Sequence, residues 1–179
     1  YKIDNPSQIA LPSDTAYQRI FFDSITPPPI SVIADADGNW LASFNPGEIV
    51  VSGQAHLLID PLSSFTDSPP EKYLSSTTYW PADNPQIISI AKSLKTPKKI
   101  YDYVVTNVEY DYDSAASSTA VRQGALAVLS SKKGVCTEFT DLFIALSRAA
   151  GIPAREVNGY GYTTDLRLRT PLHSWPQYW

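Results

Sequence analysis

The sequence predicts an α+β protein, β-rich at its N-terminus and built beyond that from helices with accompanying strands. Three observations carry this expectation. Residues 17–59 hold short alternating apolar runs separated by turn residues, the pattern of strands with one covered face. From Pro85 onward the apolar residues recur instead at helical spacing. Between the two, Pro61 to Pro85 is rich in Pro, Ser, Thr and Asp, the composition of a connection running over a surface. The division expected is a β-rich N-terminal domain over residues 1–62, a linker over 63–84, and an α+β domain over 85–179.

The β elements come first. Tyr17-Gln18-Arg19-Ile20-Phe21-Phe22 is a half-alternating aromatic run that ends at Pro27-Pro28-Pro29. Ser31 to Asp35 and Trp40 to Phe44 flank Ala36-Asp37-Gly38-Asn39, a turn signal between two alternating runs, and so predict a β-hairpin. Glu48 to Ile59 supplies a further strand, read either as continuous or as broken at Gly53.

The helices follow. Pro85 to Leu94 repeats apolar residues at helical spacing, and Thr96-Pro97, an N-cap followed by a first-turn proline, opens a second helix to about Val108. In that helix Ile100, Val104 and Val108 share one face. Asp111 to Ser118 reads as a polar loop. Arg122 to about Ser131 reads as a short helix with Leu126 and Leu129 inward, stopped by Gly134. Cys136 to about Ala150 is the strongest helix, with Phe139, Leu142, Phe143, Leu146, Ala149 and Ala150 as its apolar stripe and Gly151-Ile152-Pro153 as its terminator. Arg155 to Tyr160 and the segment opened by His173 read as strands.

Composition narrows the function. With 179 residues, 43% of them hydrophobic and 18% charged, the chain can bury a core. A net charge of −4 provides no basic field for nucleic acid or an anionic membrane. No apolar stretch approaches the roughly 20 residues that span a bilayer. The chain opens on Tyr1 with no methionine, which reads as a processed or excised piece, and a single cysteine argues against a disulfide-stapled module.

That cysteine, Cys136, follows Gly134-Val135 at the expected start of the strongest helix. Unpaired N–H groups and the positive dipole end at that position favour thiolate over thiol. A histidine on a neighbouring strand, His173, would complete the pair that nucleophilic acyl transfer requires: thiolate to attack a carbonyl, imidazolium to protonate the leaving amine, helix-end N–H groups to hold the oxyanion. Against this stands packing, the commonest role of a free cysteine.

The segment Gly134-Val135-Cys136-Thr137-Glu138-Phe139, continued through Arg148-Ala149-Ala150-Gly151-Ile152-Pro153-Ala154-Arg155 to Gly159-Tyr160, resembles the transglutaminase-like core, and His173-Ser174-Trp175 is similar to that family's His-x-Trp. The likeness covers roughly residues 85–179. It implies a papain-like fold in which Cys136 is the nucleophile and His173 the base, with Trp175 packed beside the imidazole as support. It also implies a third acid, an aspartate on the following strand. Only Ser174 to Trp179 follow His173, so the acid and the last strands of the core are expected to be absent and the chain to be a truncated form of a larger protein whose activity that loss endangers. Asp141 and Asp165 read as helix or loop surface residues rather than substitutes. More weakly, Asp35 to Ala42 resembles a hairpin of the β-sandwich found ahead of bacterial transglutaminase-like cores, making the N-terminal domain sandwich-like.

The remaining candidates read more blandly. His56 is a core or surface histidine, Arg148 and Arg155 are pairing residues around the nucleophile helix, and Tyr160 and Tyr162 are packing aromatics near the cleft mouth. Asp111, Asp113 and Asp141 match no EF-hand spacing. No motif implies a metal or cofactor. The expected activity is cysteine-dependent acyl transfer on peptide or glutamine-type amides, by hydrolysis or cross-linking, with a protein or peptide substrate. The alternative is a non-catalytic protein- or cell-wall-binding module that keeps the fold. An extracellular or cell-surface location is expected.

Overall fold

The computed structural model describes residues 1–58, 71–117, 121–161, 164 and 172–179. The chain forms two compact units, Tyr1–Asp67 and Ser68–Trp179, in a mixed α+β architecture.

The first unit is all β: β1 (Lys2–Ile3), β2 (Ser7–Leu11), β3 (Gln18–Thr26), β4 (Ser31–Ala34), β5 (Trp40–Phe44), β6 (Gly47–Glu48) and β7 (Val50–Leu57). β2, β5 and β4 form one antiparallel sheet, β3 pairs with β7, and β1 with β6. The expected β4–β5 hairpin is present, with Ala34 opposite Trp40. Its turn closes because the Asp35 carboxylate accepts from the N–H groups of Asp37 and Asn39, and Gly38 supplies a φ of +81°. Leu11, Ala42, Phe44 and Ile49 form a small core, packed by Phe22, Ile25, Trp40 and Val51. Gly53 does not break its strand. It lies within β7 opposite Phe22, where a Cβ would come within 2.4 Å of the Phe21 carbonyl oxygen, beside a register shift between Phe22 and Ser24.

The second unit begins with a 3-10 turn, Glu71–Leu74, whose Tyr73 is buried, so residues the composition assigned to a surface linker enter a core. It continues with α1 (Pro85–Leu94), α2 (Pro97–Asn107), β8 (Glu109–Tyr110), α3 (Tyr112–Ala116), α4 (Ala125–Ser131), β9 (Lys133–Gly134), α5 (Cys136–Ala149), β10 (Ala154–Tyr160) and β11 (Leu172–Tyr178). Side-chain caps start α1 and α2: Asn84 accepts from Gln86 N–H, and Thr96 from Lys99 N–H. Part of the expected polar loop is instead α3, because Asp111 caps it by accepting from Ser114 N–H. α4 starts at Ala125, so Ala125, Val128 and Leu129 are buried while Leu126, expected inside, is 37% exposed.

α5 is the central element. α1, α2 and α4 pack around it with β10 and β11, and Leu142, Phe143, Ala145 and Leu146 join Ile87, Ile100, Val104 and Val128 in one core. Each large apolar side chain there contributes about 1.5–3 kcal/mol by leaving water. The helix is buried around much of its circumference, including Thr140, Asp141, Ser147 and Arg148, beyond the single stripe its periodicity suggests. Gly151, with φ +79°, ends it; Ile152 N–H donates to the Ser147 carbonyl.

β10 leaves that C-terminal end, and β11 returns antiparallel to it, from Tyr160↔Leu172 to Ala154↔Tyr178. Trp179 N–H donates to the Pro153 carbonyl, and Tyr178 packs on Phe143 of α5 at a ring separation of 6.0 Å. The end of β11 is thus tied to the residues after α5 through Pro153 and to the middle of the helix through Phe143.

Candidate active site

Cys136 is the first residue of α5, half-buried and unpaired. Its position follows from its neighbours. Val135, the extended N-cap, has no polar side chain. The Glu138 carboxylate does the capping, accepting from Val135 N–H at 3.2 Å and, across the unit, from Gln123 N–H at 3.2 Å. Glu138 is buried against Gly134, where an added Cβ would lie 2.5 Å from the Glu138 Cβ. Glycine two residues before the cysteine is therefore a packing requirement of the cap. It does not stop α4, as the sequence suggested; Lys132, with φ 59°, ends that helix.

His173 is the second residue of β11, opposite Gly159 and partly exposed. Its ring lies over Gly161, where a Cβ would come within 2.5 Å of Cδ2, and beside Trp175 at 5.8 Å between centroids. Trp175 covers Gly159 in the same way, with Cζ3 3.1 Å from an added Cβ, and is 42% exposed. Two glycines on either side of Tyr160 thus clear the floor for two rings. Among the described residues no hydrogen bond joins the His173 ring to Cys136 Sγ or to a carboxylate. Tyr160 is largely exposed; Tyr162 and Asp165 lie outside the described residues.

The pleat puts Ser174 on the opposite face of β11 from His173. Ser174 is buried, and its Oγ donates to Glu156 Oε1 at 2.8 Å. Glu156 Oε2 pairs with Arg122 Nη2 at 3.0 Å. Arg122 forks onto Asp141 of α5, with Nε 3.0 Å from Oδ2 and Nη2 on Oδ1, while the Trp80 indole N–H donates to Asp141 Oδ1 at 2.7 Å. The Arg122 guanidinium also lies over the Tyr79 ring at 4.4 Å. This network joins the strand of His173 to the helix of Cys136.

Asp141 is therefore not the surface residue expected from its polarity: it is 0% exposed. Burial pushes its carboxyl above the ordinary aspartate range, with Arg122 and Trp80 pulling the other way. Burial also works against the Arg122 charge, yet Asp141 and Glu156 outweigh it and hold the guanidinium more firmly protonated than usual. Sequence reasoning missed Trp80, Arg122, Glu156 and Ser174. The available signal was an aspartate between Thr140 and Leu142 in a helix too apolar to expose it, which demands a cation; the sequence offers no means of choosing Arg122.

Arg148 and Arg155 are pairing residues. Arg148 lies over Trp80 at 4.5 Å and donates to the carbonyls of Ala154 and Ser75; burial lowers its proton affinity. Arg155 donates to Gln177 Oε1 and Tyr73 Oη. His56, in the first unit, is exposed and packs on Phe21. Among the described residues no group of three His, Cys, Asp or Glu side chains could hold a metal ion.

The family model of the transglutaminase-like superfamily matches residues 85–179. Among solved structures, a candidate cysteine protease from Cytophaga hutchinsonii aligns with 99% of this chain and 68% of its own at a TM-score of 0.66 and 21% identity. The periplasmic domain of TgpA from Pseudomonas aeruginosa, bound to ethylmercury, aligns with 98% of this chain and 65% of its own at 0.55 and 21%. These likenesses show the fold. An uncharacterized protein of Mycobacterium leprae, ML0607, is 27% identical over 121 residues, 61% of this chain; the chain spans 42% of that relative.

Proposed function

Because the chain belongs to the transglutaminase-like superfamily, a family of cysteine-dependent hydrolases and acyltransferases, we propose that its second unit carries out thiol-dependent acyl transfer on peptide or glutamine-type amides. The Cys136 thiolate attacks the amide carbonyl carbon, and helix-end N–H groups hold the oxyanion. The C–N bond breaks as the His173 imidazolium passes its proton to the leaving amine, leaving a thioester on Cys136. Water, deprotonated by the now neutral imidazole, adds to the thioester, and collapse releases a carboxylic acid and the thiolate. An amine in place of water gives a new amide, which is cross-linking. Hydrolysis is the preferred outcome, supported by the likeness to the Cytophaga protein. Trp175 shields one side of the imidazole.

The observation that carries this reading is the position of Cys136 as the first residue of the central helix, whose Asp141 is linked through Arg122 and Glu156 to Ser174, the neighbour of His173. Catalysis on this arrangement needs the imidazole and the sulfur to meet when substrate is bound; catalytic hydrogen bonds commonly tighten only at that stage. The likeness to a periplasmic domain supports a location outside the cytoplasm. Among the described residues no helix is long and apolar enough to cross a membrane.

The test is acyl-enzyme trapping. The chain is mixed with glutamine-containing peptides and peptide esters, quenched in acid and weighed by mass spectrometry. A thioester adduct on Cys136, lost in Cys136→Ala and much slower to form in His173→Ala, is the expected result. No adduct, together with equal iodoacetamide labelling of wild type and His173→Ala, would leave a binding module on the same fold.

A further inference from the structure

We propose that Arg122, acting through Glu156 and Ser174, is a positioning residue that sets the His173 strand against the Cys136 helix. The inference rests on the thiol–imidazole reading above and names the part of the fold that makes it work. Four observations support it.

Asp141 follows Cys136 by about one and a half turns of the same helix, some 7.5 Å along its axis. Ser174 is the residue next to His173. Arg122 and Glu156 link the two: Asp141 accepts from the Arg122 fork, Glu156 pairs with Arg122, and Ser174 donates to Glu156. Each link is directional, and its members are buried or largely so, where water competes poorly for hydrogen bonds.

Apolar contact alone would let the strand slide. The Phe143–Tyr178 contact holds the far end of β11 on α5, five residues beyond His173, whereas the near end, from Leu172 to Ser174, pairs with β10 and reaches α5 through Glu156 and Arg122. Serine at position 174 supplies a restraint at the near end that an aliphatic residue could not. Arg122 is itself held from several sides, by the Tyr79 and Trp80 rings and by carboxylates from two different elements. Only a planar fork satisfies both carboxylates together; a lysine would present a single charged point. Glu138 adds to the arrangement, since its carboxylate caps the cysteine turn and holds Gln123, the residue after Arg122. One short segment, Arg122-Gln123, thus touches the first turn of α5, its second turn and the β10–β11 pair.

Iodoacetamide supplies a readout that needs no substrate: a C–S bond forms at Cys136 as iodide leaves, and the rate follows the fraction of Cys136 present as thiolate. Full-length Ser174→Ala, Ser174→Thr, Arg122→Lys and His173→Ala chains are made, their folded fractions measured by circular dichroism, and alkylation rates per folded molecule recorded from pH 5 to 9. His173 is followed in parallel by imidazole NMR. The expected result is a tenfold or larger fall in rate near neutral pH for Ser174→Ala and Arg122→Lys, a displaced pH profile, and altered His173 resonances. Ser174→Thr, which keeps the hydroxyl, should restore the wild-type profile. A purely structural role would change the folded fraction and leave the profile of the folded molecules alone. If His173→Ala slows alkylation while Ser174→Ala and Arg122→Lys keep the wild-type profile and His173 resonances, the positioning role is overturned and the catalytic reading stands. If His173→Ala alkylates as fast as wild type, both fall.

Discussion

Replacing Arg122 with methionine should destabilise the second unit by about 3–5 kcal/mol at pH 7, and by less in acid. The side chain lies against the Tyr79 and Trp80 rings, so methionine fills much of its volume and the electrostatic change dominates. Asp141, fully buried, would lose both Arg122 hydrogen bonds and, among the described residues, keep the Trp80 indole N–H. Glu156 would lose its cation as well. Removing one partner of a buried pair typically costs about 3–5 kcal/mol, because the remaining charge is stranded. Against the roughly 5–15 kcal/mol of an ordinary domain, such a variant still folds.

The pH dependence follows from the direction of the Asp141 shift. Its carboxyl is already pushed up by burial, and without Arg122 it rises further above the value of about 3.9 it has when unfolded. Between those two values the native state holds a proton that the unfolded state has released, so the stability of the variant falls as pH rises, by up to about 1.4 kcal/mol per unit. Urea unfolding at pH 5 and pH 7, with the Arg122→Met, Asp141→Asn double variant beside the single one, measures this. The double variant should recover more than half of the loss at pH 7. A single-variant loss below about 1 kcal/mol, or an equal loss at both pH values, would refute the argument that Asp141 is a buried anion held by Arg122.

Two further outcomes follow from the same geometry. Gly161→Ala places a Cβ against the His173 ring, so alkylation and any turnover should fall about tenfold or more while unfolding shifts by less than about 1.5 kcal/mol; paired kinetics and urea melts check both, and unchanged kinetics would mean that the ring position is unimportant. Asn84→Ala removes the side chain that accepts from Gln86 N–H at the start of α1 and should cost about 1 kcal/mol in a urea melt; no measurable loss would show that water replaces the cap.

Local chemistry made much of this protein legible in one dimension. Pro97 after Thr96, the Gly151-Ile152-Pro153 stop and the Asp37-Gly38-Asn39 turn each act through their own backbone, and each element forms where the residues say it should. The Gly-Val-Cys segment marks a helix start for the same reason: Glu138 caps it from within four residues. Readings that failed did so where a partner distant in sequence decides. Leu126 faces out because α4 begins at Ala125, three residues later than the expected Arg122, and Ala125, Val128 and Leu129 are the residues that meet the core. Whether Gly53 breaks or continues its strand is open in the sequence, and the pairing with β3 beside its bulge decides for continuation.

What the sequence alone determined was a thiol at the mouth of an apolar helix and an imidazole opening a later strand, because caps, turns and periodicity are short-range properties. Only the tertiary structure decided that Asp141 is interior and that Arg122, Glu156 and Ser174 join helix to strand. A polar side chain carries no mark of its partner: burial makes the partner obligatory, and packing of segments far apart in the chain selects which one it is.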